Sequence, residues 1–415
     1  MFFTALVTVY FAIHLAACYF LTKASRRVFL HVKKIEPVDS APSIAVIKPV
    51  YGADMYTEKC FRSWLTQTYD GEVQFIFALQ QEDDRALEIL GRLRKEFEFE
   101  VTVNSVKEGF SGKASNLFYG IQLARHEILV LSDADILASR QTLQRLVGAL
   151  HSSAADIVSC IPRHTEARNI WAKIYATAWN FAIFYLWAPA ILARRPTGAA
   201  GGTLALTKSS LRRLGGMESI QNFLAEDLKL GQNALKAGLL LGLGPVVDSP
   251  VGILPFEDLL DKLSRANLVA IHMFPKGLLL TSLVCAFTYA YLPLAVYAYA
   301  SRSLVLILLC GAVFLIRALL LGNLTQLATG RFQFPFEFPV GDLLNTFSFF
   351  NSLLESEVFW GGMRFRVSAG GAMTRLGDEK KEEPVFTWTL EGHESLDEPN
   401  LLSIDSLSAP RALDL

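Results

Sequence analysis

The sequence predicts an α/β protein in which a doubly wound, largely parallel sheet is carried on α-helical membrane segments. Three observations predict it. Between residues 41 and 275, short runs rich in β-branched and aromatic residues alternate with helix-period segments, the pattern of successive βαβ units. Carboxylates follow two of those runs, Asp83-Asp84 and Asp133-Ala134-Asp135, with a third cluster at Glu226-Asp227; open α/β sheets bind ligands at the carboxyl ends of their strands. The composition is 52% hydrophobic and only 19% charged, with mean hydropathy +0.32, which leaves too little polar surface for a soluble chain of 415 residues.

Taken in order, residues 1–22 are apolar over a bilayer's thickness and lack a basic n-region or a small-residue cleavage site, so they read as a retained transmembrane anchor. Lys23, Arg26, Arg27, Lys33 and Lys34 follow, and the positive-inside rule places them in the cytoplasm. Strands are predicted over residues 43–50, 73–79, 101–106 and 127–131, with helices over 56–65, 85–97 and 114–124 between them. Residues 170–192 are long enough to span, but Lys173, Thr177 and Asn180 form one polar stripe. Trp171, Trp179, Tyr185 and Trp187 favour interfaces, so the reading preferred is a helix lying in the membrane surface.

Residues 277–300 and 304–321 read as a helical hairpin of two spans within 277–322. Residues 340–360 contain Asp342, Glu355 and Glu357 and form a third C-terminal membrane helix, spanning or shallow, since charge is costly in the bilayer core. The acidic segment 376–415 has no core-forming period and reads as a disordered tail. A formal net charge of −1 gives no field for nucleic acid. Five scattered cysteines form neither a disulfide framework nor a CxxC metal site, in keeping with a reducing compartment.

Asp133 and Asp135, one small residue apart after a strand, can converge on one hard cation, which neutralises a diphosphate. Alone, such a pair is more often a turn or helix cap; Asp83-Asp84, after another strand and where a base and ribose would sit, strengthens the binding reading. Lys113 and Asn116 open a helix behind the Gly-containing segment 108–112, a natural pyrophosphate contact. Glu226 and Asp227 begin a helix beyond the Gly-rich loop 197–202; either could merely complement the helix dipole. A transfer that inverts an anomeric carbon nevertheless needs one carboxylate to take the acceptor proton, and Asp227 supplies it, with Glu226 as the helix cap.

These residues carry a family resemblance. Ile47-Lys48-Pro49-Val50, Gln81-Glu82-Asp83-Asp84, Lys113-Ala114-Ser115-Asn116, Ser132-Asp133-Ala134-Asp135 and Ala225-Glu226-Asp227 resemble the ceramide glucosyltransferase family, GT-A inverting enzymes, in a bacterial relative. The likeness extends through residues 359–367 with Gly370-Gly371, similar to that family's C-terminal signature. The resemblance implies a UDP-sugar donor, a divalent cation (Mg²⁺ or Mn²⁺) and a ceramide-like membrane lipid acceptor. It implies a cytosolic catalytic domain at the bacterial inner membrane, or at the Golgi in a eukaryote. Carried over, Lys48, Pro49, Asp84, Lys113, Asn116 and Asp133 would bind the nucleotide, Asp133 and Asp135 the cation, and Asp227 would be the base.

The family closes its catalytic domain with a Gln/Arg-x-x-Arg-Trp motif, matched here by Lys262-Leu263-Ser264-Arg265-Ala266. Lys262 and Arg265 keep the charge that would stabilise the departing UDP, or they form one face of an amphipathic surface helix. The Trp is lost to Ala266. The reading is therefore transfer of a hexose, glucose first, from a UDP-sugar to a lipid hydroxyl. Other acceptors (a hopanoid, diacylglycerol or polyprenyl phosphate) are rivals within enzymes. A processive polysaccharide synthase fits less well, having more spans and an intact Trp motif. The rival from another class is a catalytically dead scaffold of the same fold.

Overall fold

The computed structural model describes residues 2–38, 40–152, 155–274, 276–289, 291–329, 332, 334–360, 363–377 and 412–413. Its main sheet is built from β1 (Ile44–Pro49), β2 (Val73–Leu79), β3 (Glu100–Val103), β4 (Ile128–Ser132), β5 (Ile157–Ala167), β6 (Thr203–Thr207) and β7 (Leu241–Gly252). Their order is β3-β2-β1-β4-β6-β5-β7. The half made of β3, β2, β1 and β4 is parallel throughout, as the strand-helix alternation requires. Beyond β4 the sheet is mixed: β6 runs antiparallel to both neighbours, while β5 and β7 are parallel to each other.

β1 is buried at every position, and β4 likewise. Central strands covered by helices on both faces read as continuous apolar runs rather than alternating ones. One face packs on the helices Gly112–Leu123 and Glu226–Lys236, the other on Thr142–Ser152. All strands of the parallel half therefore deliver their carboxyl ends, and the acids that follow them, to one edge of the sheet.

The chain opens with one helix, Phe2–Lys33, which continues past the expected anchor through the basic residues and meets the domain. There Arg145 donates to the carbonyl of Ile35 at 3.2 Å. Residues 170–192 form one continuous rod, Ile170–Phe181, a π-turn over Ala182–Trp187, and Ala188–Leu192. Gly277–Tyr289 and Tyr291–Ala300 are helical, followed by Leu304–Thr329. Among the described residues, three helical stretches are long and apolar enough to cross a membrane: Ala5–Lys33, Ile170–Leu192 and Leu304–Gln326. The chain is a membrane protein.

The helix expected over 340–360 is shorter. It runs Phe338–Leu354, and the β-prone Glu357–Trp360 forms β8 instead, paired antiparallel with β9 (Met363–Val367), which pairs with β10 (Met373–Arg375). Charge explains the change: Glu357 bonds Arg364 (2.6 Å) and Arg366 (3.2 Å) across β8 and β9, a pairing a helix would break. Asp342 is matched by Arg317 of the neighbouring helix at 2.6 Å. Most of the expected tail lies outside the described residues; Ala412–Leu413, which we call β11, pairs antiparallel with β3.

Candidate active site

β4 ends at Ser132, and the chain turns so that the Asp133 N–H bonds the Gly202 carbonyl at 2.8 Å. Lys113, in the first turn of the helix Gly112–Leu123, reaches that turn from the side. Its Nζ is 2.7 Å from Asp133 Oδ1 and 3.0 Å from Glu226 Oε1. The helix N-terminus that presents it is capped by Ser111, whose hydroxyl accepts from the Ala114 N–H. Burial works against the charge on Lys113, but Asp133, Glu226 and Asp227 outweigh it and hold its pKa well above the ordinary lysine value. Lys113, Asp133, Gly201, Gly202, Glu226 and Asp227 line one pocket.

Asp227 faces this cluster from the helix Glu226–Lys236, with its Oδ1 accepting the Leu228 N–H at 2.8 Å. Burial, and then the charge of Glu226, raise its pKa to about 6 against the pull of Lys113 and that N–H. The Gly-rich loop makes room for it: a Cβ on Gly201 would lie 2.3 Å from Asp227 Oδ2. Glu226, expected as a helix cap, makes no such bond; it is buried and paired with Lys113. A cap needs the preceding residue's geometry, and Ala225 occupies that place.

The two acids of the Asp133-Ala134-Asp135 turn diverge. Asp133 faces Lys113, and Asp135 Oδ2 accepts from the Ser249 hydroxyl on β7 at 3.0 Å. Asp135 is pushed above the usual carboxylate range by burial and then by Asp133, with Ser249, Lys113 and Lys48 opposing. An oxygen-donor carboxylate whose ionisation is opposed by a second carboxylate beside it suits a hard divalent cation. Among the described residues no group of three His, Cys, Asp or Glu side chains could hold a metal, so the pair would furnish only part of a coordination shell.

Lys48, expected to touch the nucleotide, is instead a buried support. Its side chain points into the sheet, donating to the Asp133 carbonyl (2.7 Å) and Ser132 Oγ (3.2 Å) with Nζ 4.7 Å from the Trp64 ring centroid. Burial lowers its pKa to about 8 against Cys60, Asp133 and Asp135. Pro49 closes β1 opposite Ala78. Asp84, also buried, spends both oxygens on backbone N–H groups of Gly52 and Ala86, each at 2.8 Å, so it fixes the loop that follows β1. Asn116 ties that loop to the Lys113 helix by donating to the Val50 carbonyl at 3.0 Å.

Lys262 and Arg265 lie on the helix Phe256–Met273 and turn toward the Asp135 side of the site. Lys262 Nζ sits 5.3 Å from the Tyr175 ring centroid, and crowding by protein followed by Arg265 lowers its pKa. Two contributors to this side were not read from the sequence: Ser249 and His164, both on strands whose prolines hide them. His164 is held neutral, its pKa lowered to about 4 by burial and by Lys262 while the Ser249 main chain opposes.

The C-terminal sheet, β8 to β10, reaches this site from behind. Leu224 and Met373 exchange backbone bonds with Gly371 and Asn222, and the Phe110 ring packs on Phe365 at 5.2 Å. The two loops so held lead to Lys113 and to Asp227.

Two curated proteins are similar over most of the chain. Ceramide glucosyltransferase 1 of Caenorhabditis elegans is 23% identical across 91% of this chain and 82% of its own length. Ceramide glucosyltransferase 3 of the same organism is 21% identical across 81% and 75%. Among solved structures, a mannosyltransferase from Pyrobaculum calidifontis, in complex with GDP-Man and Mn²⁺, is 20% identical with a TM-score of 0.48, over 83% of this chain and 99% of its own. Staphylococcus aureus TarS is 12% identical with a TM-score of 0.35, over 80% and 60%. The profile of glycosyl transferase family 21 matches residues 8–373, from the first helix to the strand that closes behind Asp227, and the chain belongs to that family of glycosyltransferases.

Proposed function

We propose that this enzyme moves glucose from UDP-glucose to the primary hydroxyl of ceramide or a closely related membrane lipid, with inversion. The observation that carries the reading is Asp227: a carboxylate raised to about 6 that faces Lys113 and, across it, Asp133. Near neutral pH it is ionised yet basic enough to take a hydroxyl proton. The proton passes to an Asp227 oxygen as the acceptor oxygen bonds the anomeric carbon and the bond from that carbon to UDP breaks. Lys113 holds the negative charge of Asp133 and Glu226 in place and presents a fixed cation at the pyrophosphate side.

Asp133 and Asp135 would hold a divalent cation, Mg²⁺ or Mn²⁺, with diphosphate oxygens and water completing its shell. When bound, the cation neutralises diphosphate charge. Lys48 fixes the turn that carries both acids, and Asp84 with Asn116 orders the loop around the nucleoside. Arg265 adds positive charge on the leaving-group side. Ceramide as acceptor is supported by the names of the relatives, glucose likewise. A cytosolic domain is supported by Lys23, Arg26, Arg27, Lys33 and Lys34 at the domain end of the first helix, in keeping with the positive-inside rule. The rod Ile170–Leu192 then lies in the membrane surface: its Asn180 and Thr177 bond protein groups, His164 and Glu337, instead of facing lipid.

The experiment is incubation of the purified chain with a panel of UDP- and GDP-sugars and a lipid extract containing ceramide, diacylglycerol and polyprenyl phosphate, products being identified by mass spectrometry. Glucosylceramide formed from UDP-glucose, and abolished in Asp227→Asn, is the expected result. A product on another lipid corrects the acceptor; no product from any donor, with UDP still bound, makes the chain a scaffold.

A further inference from the structure

Between Asp135 and the helix Ile170–Phe181 lie side chains for which the transfer chemistry has no use. His164 and Ser249 are register partners on β5 and β7 and so project from the same face of the sheet. The Ser249 hydroxyl is already given to Asp135. Beside it, both ring nitrogens of His164 are buried and neither makes a hydrogen bond of regular geometry, although the Ser249 main chain approaches the ring. A buried donor and a buried acceptor left unmet on one ring carry a desolvation cost that native structures rarely tolerate without a reason.

The ring is nevertheless fixed with care. The His164 main chain exchanges two bonds with the Asn180 side chain, at 2.9 and 3.0 Å. Its imidazole packs on Tyr175 (ring centroids 5.0 Å apart) and Trp179 (5.8 Å), which stack on one another at 6.2 Å. Lys262 Nζ lies over the Tyr175 ring, 5.3 Å from its centroid. Tyr175 and Trp179 are only partly buried, so this side of the site is open to solvent. One turn on from Lys262, Ala266 presents only a methyl group where the family motif carries an indole. Further along the rod, Phe184 stacks on Phe29 of the first helix, and the Tyr185 hydroxyl donates to the Leu320 carbonyl of a long apolar helix. The rod thus links this side of the site to the first helix and to Leu304–Thr329.

We propose that His164, Tyr175 and Trp179 form the headgroup subsite for the lipid acceptor, and that it takes an uncharged headgroup bearing hydroxyl and amide groups. This rests on the reading of the chain as a lipid glycosyltransferase and adds where the lipid sits and what selects it. A neutral imidazole offers one N–H and one lone pair, which match the paired donor and acceptor of a hydroxyl or an amide. The aromatic faces cover the carbon skeleton between those groups. A phosphate headgroup has acceptors only, so it would leave the lone-pair nitrogen of a neutral His164 unmet.

The test uses the full chain in detergent micelles with a fluorescent short-chain ceramide, read by anisotropy. Ceramide phosphate and diacylglycerol serve as competitors, UDP affinity is measured by calorimetry, and glucosyl transfer is assayed in parallel. Expected are ceramide binding by the wild type, weak competition by ceramide phosphate, and a loss of about tenfold in ceramide affinity in His164→Phe, the scale of one lost hydrogen bond. UDP affinity and melting temperature should stay unchanged, and His164→Gln, which restores a neutral donor and acceptor, should recover part of the loss. Equal ceramide affinity in wild type and His164→Phe, no ceramide binding by the wild type, or preference for ceramide phosphate each overturns the subsite. Ceramide bound through His164 without transfer from any UDP-sugar would instead overturn the enzymatic reading and leave the subsite standing.

Discussion

The backbone N–H of Leu224 donates to the Gly371 carbonyl at 2.9 Å, so the segment that enters the Glu226-Asp227 helix is tied to a residue almost 150 positions later in the chain. Phe223 and Ala372 form an isolated antiparallel bridge at the same place. The left-handed φ of +82° at Gly371 lets the chain turn there, and a Cβ would meet the Met273 side chain at 2.5 Å. The C-terminal signature is therefore a brace on the two loops that deliver Lys113 and Asp227.

Phe365 is the brace's buried centre, fully enclosed and packed on Phe110. Phe365→Ala should cost about 3 to 5 kcal/mol, the range for an emptied aromatic core site. If the brace sets the position of Asp227, kcat should fall by more than UDP affinity does in variants still folded at the assay temperature, with Phe365→Leu largely restoring it. Thermal melts and paired kinetics and calorimetry check this; equal losses in kcat and UDP affinity would make the sheet a general stabiliser only.

Asp227→Asn should retain UDP binding while turnover drops by about 10²- to 10⁴-fold, the usual loss for a general base. In the wild type, kcat should rise with pH through about 6 and level above it, because the base works only when ionised. The sign for stability is the reverse. A carboxyl whose folded pKa lies above its ordinary 3.8 binds its proton more tightly when folded, so its contribution is present at low pH and lost as pH rises through about 6. Asp227→Asn should therefore melt higher than wild type above pH 6 and lose that advantage toward pH 4; the opposite trend would mean the carboxylate is net stabilised by Lys113.

Lys48→Met should weaken metal-dependent UDP binding although Lys48 touches no ligand, because its Nζ holds the Asp133 carbonyl at 2.7 Å and the Ser132 hydroxyl at 3.2 Å beneath the turn. Asp135→Asn should weaken the same binding by removing a charged oxygen donor. Calorimetric titration of UDP with and without Mn²⁺ separates them: Lys48→Met should also lower the melting temperature without nucleotide, whereas Asp135→Asn, relieved of repulsion from Asp133, should not.

β1, β2 and β4 were legible in the sequence because buried parallel strands are uninterrupted apolar runs, and the acids after β2 and β4 marked the site edge. β5 and β7 were not, since Pro162, Pro245 and Pro250 interrupt them. Proline is tolerated in β7 because it is the edge strand, where an N–H is dispensable. Those hidden strands carry His164 and Ser249, so the Asp135 side of the site was out of reach. Lys48 was misplaced for a related reason: a motif fixes which residues stand near a site, while the direction of each side chain comes from the pleat.

Lys262 and Arg265 share a helical face that turns to Asp135, and their roles separate on the geometry. Lys262 lies against the Tyr175 ring, beside the proposed headgroup subsite, and its pKa is lowered by crowding and by Arg265. Arg265, with its planar bidentate guanidinium, is the better-matched counter-charge for a departing diphosphate. Arg265→Ala should therefore cut kcat strongly at saturating donor and acceptor, while Lys262→Ala should mainly raise the acceptor KM. In the wild type, the contribution of Lys262 should fade on the alkaline side before that of an ordinary lysine would, because deprotonation removes its charge from beside the subsite. Steady-state kinetics across pH with both substrates varied decide it. If both alanine variants keep full transfer at every pH, this helix is only part of the membrane-facing surface, and the stabilising charge belongs to Lys113.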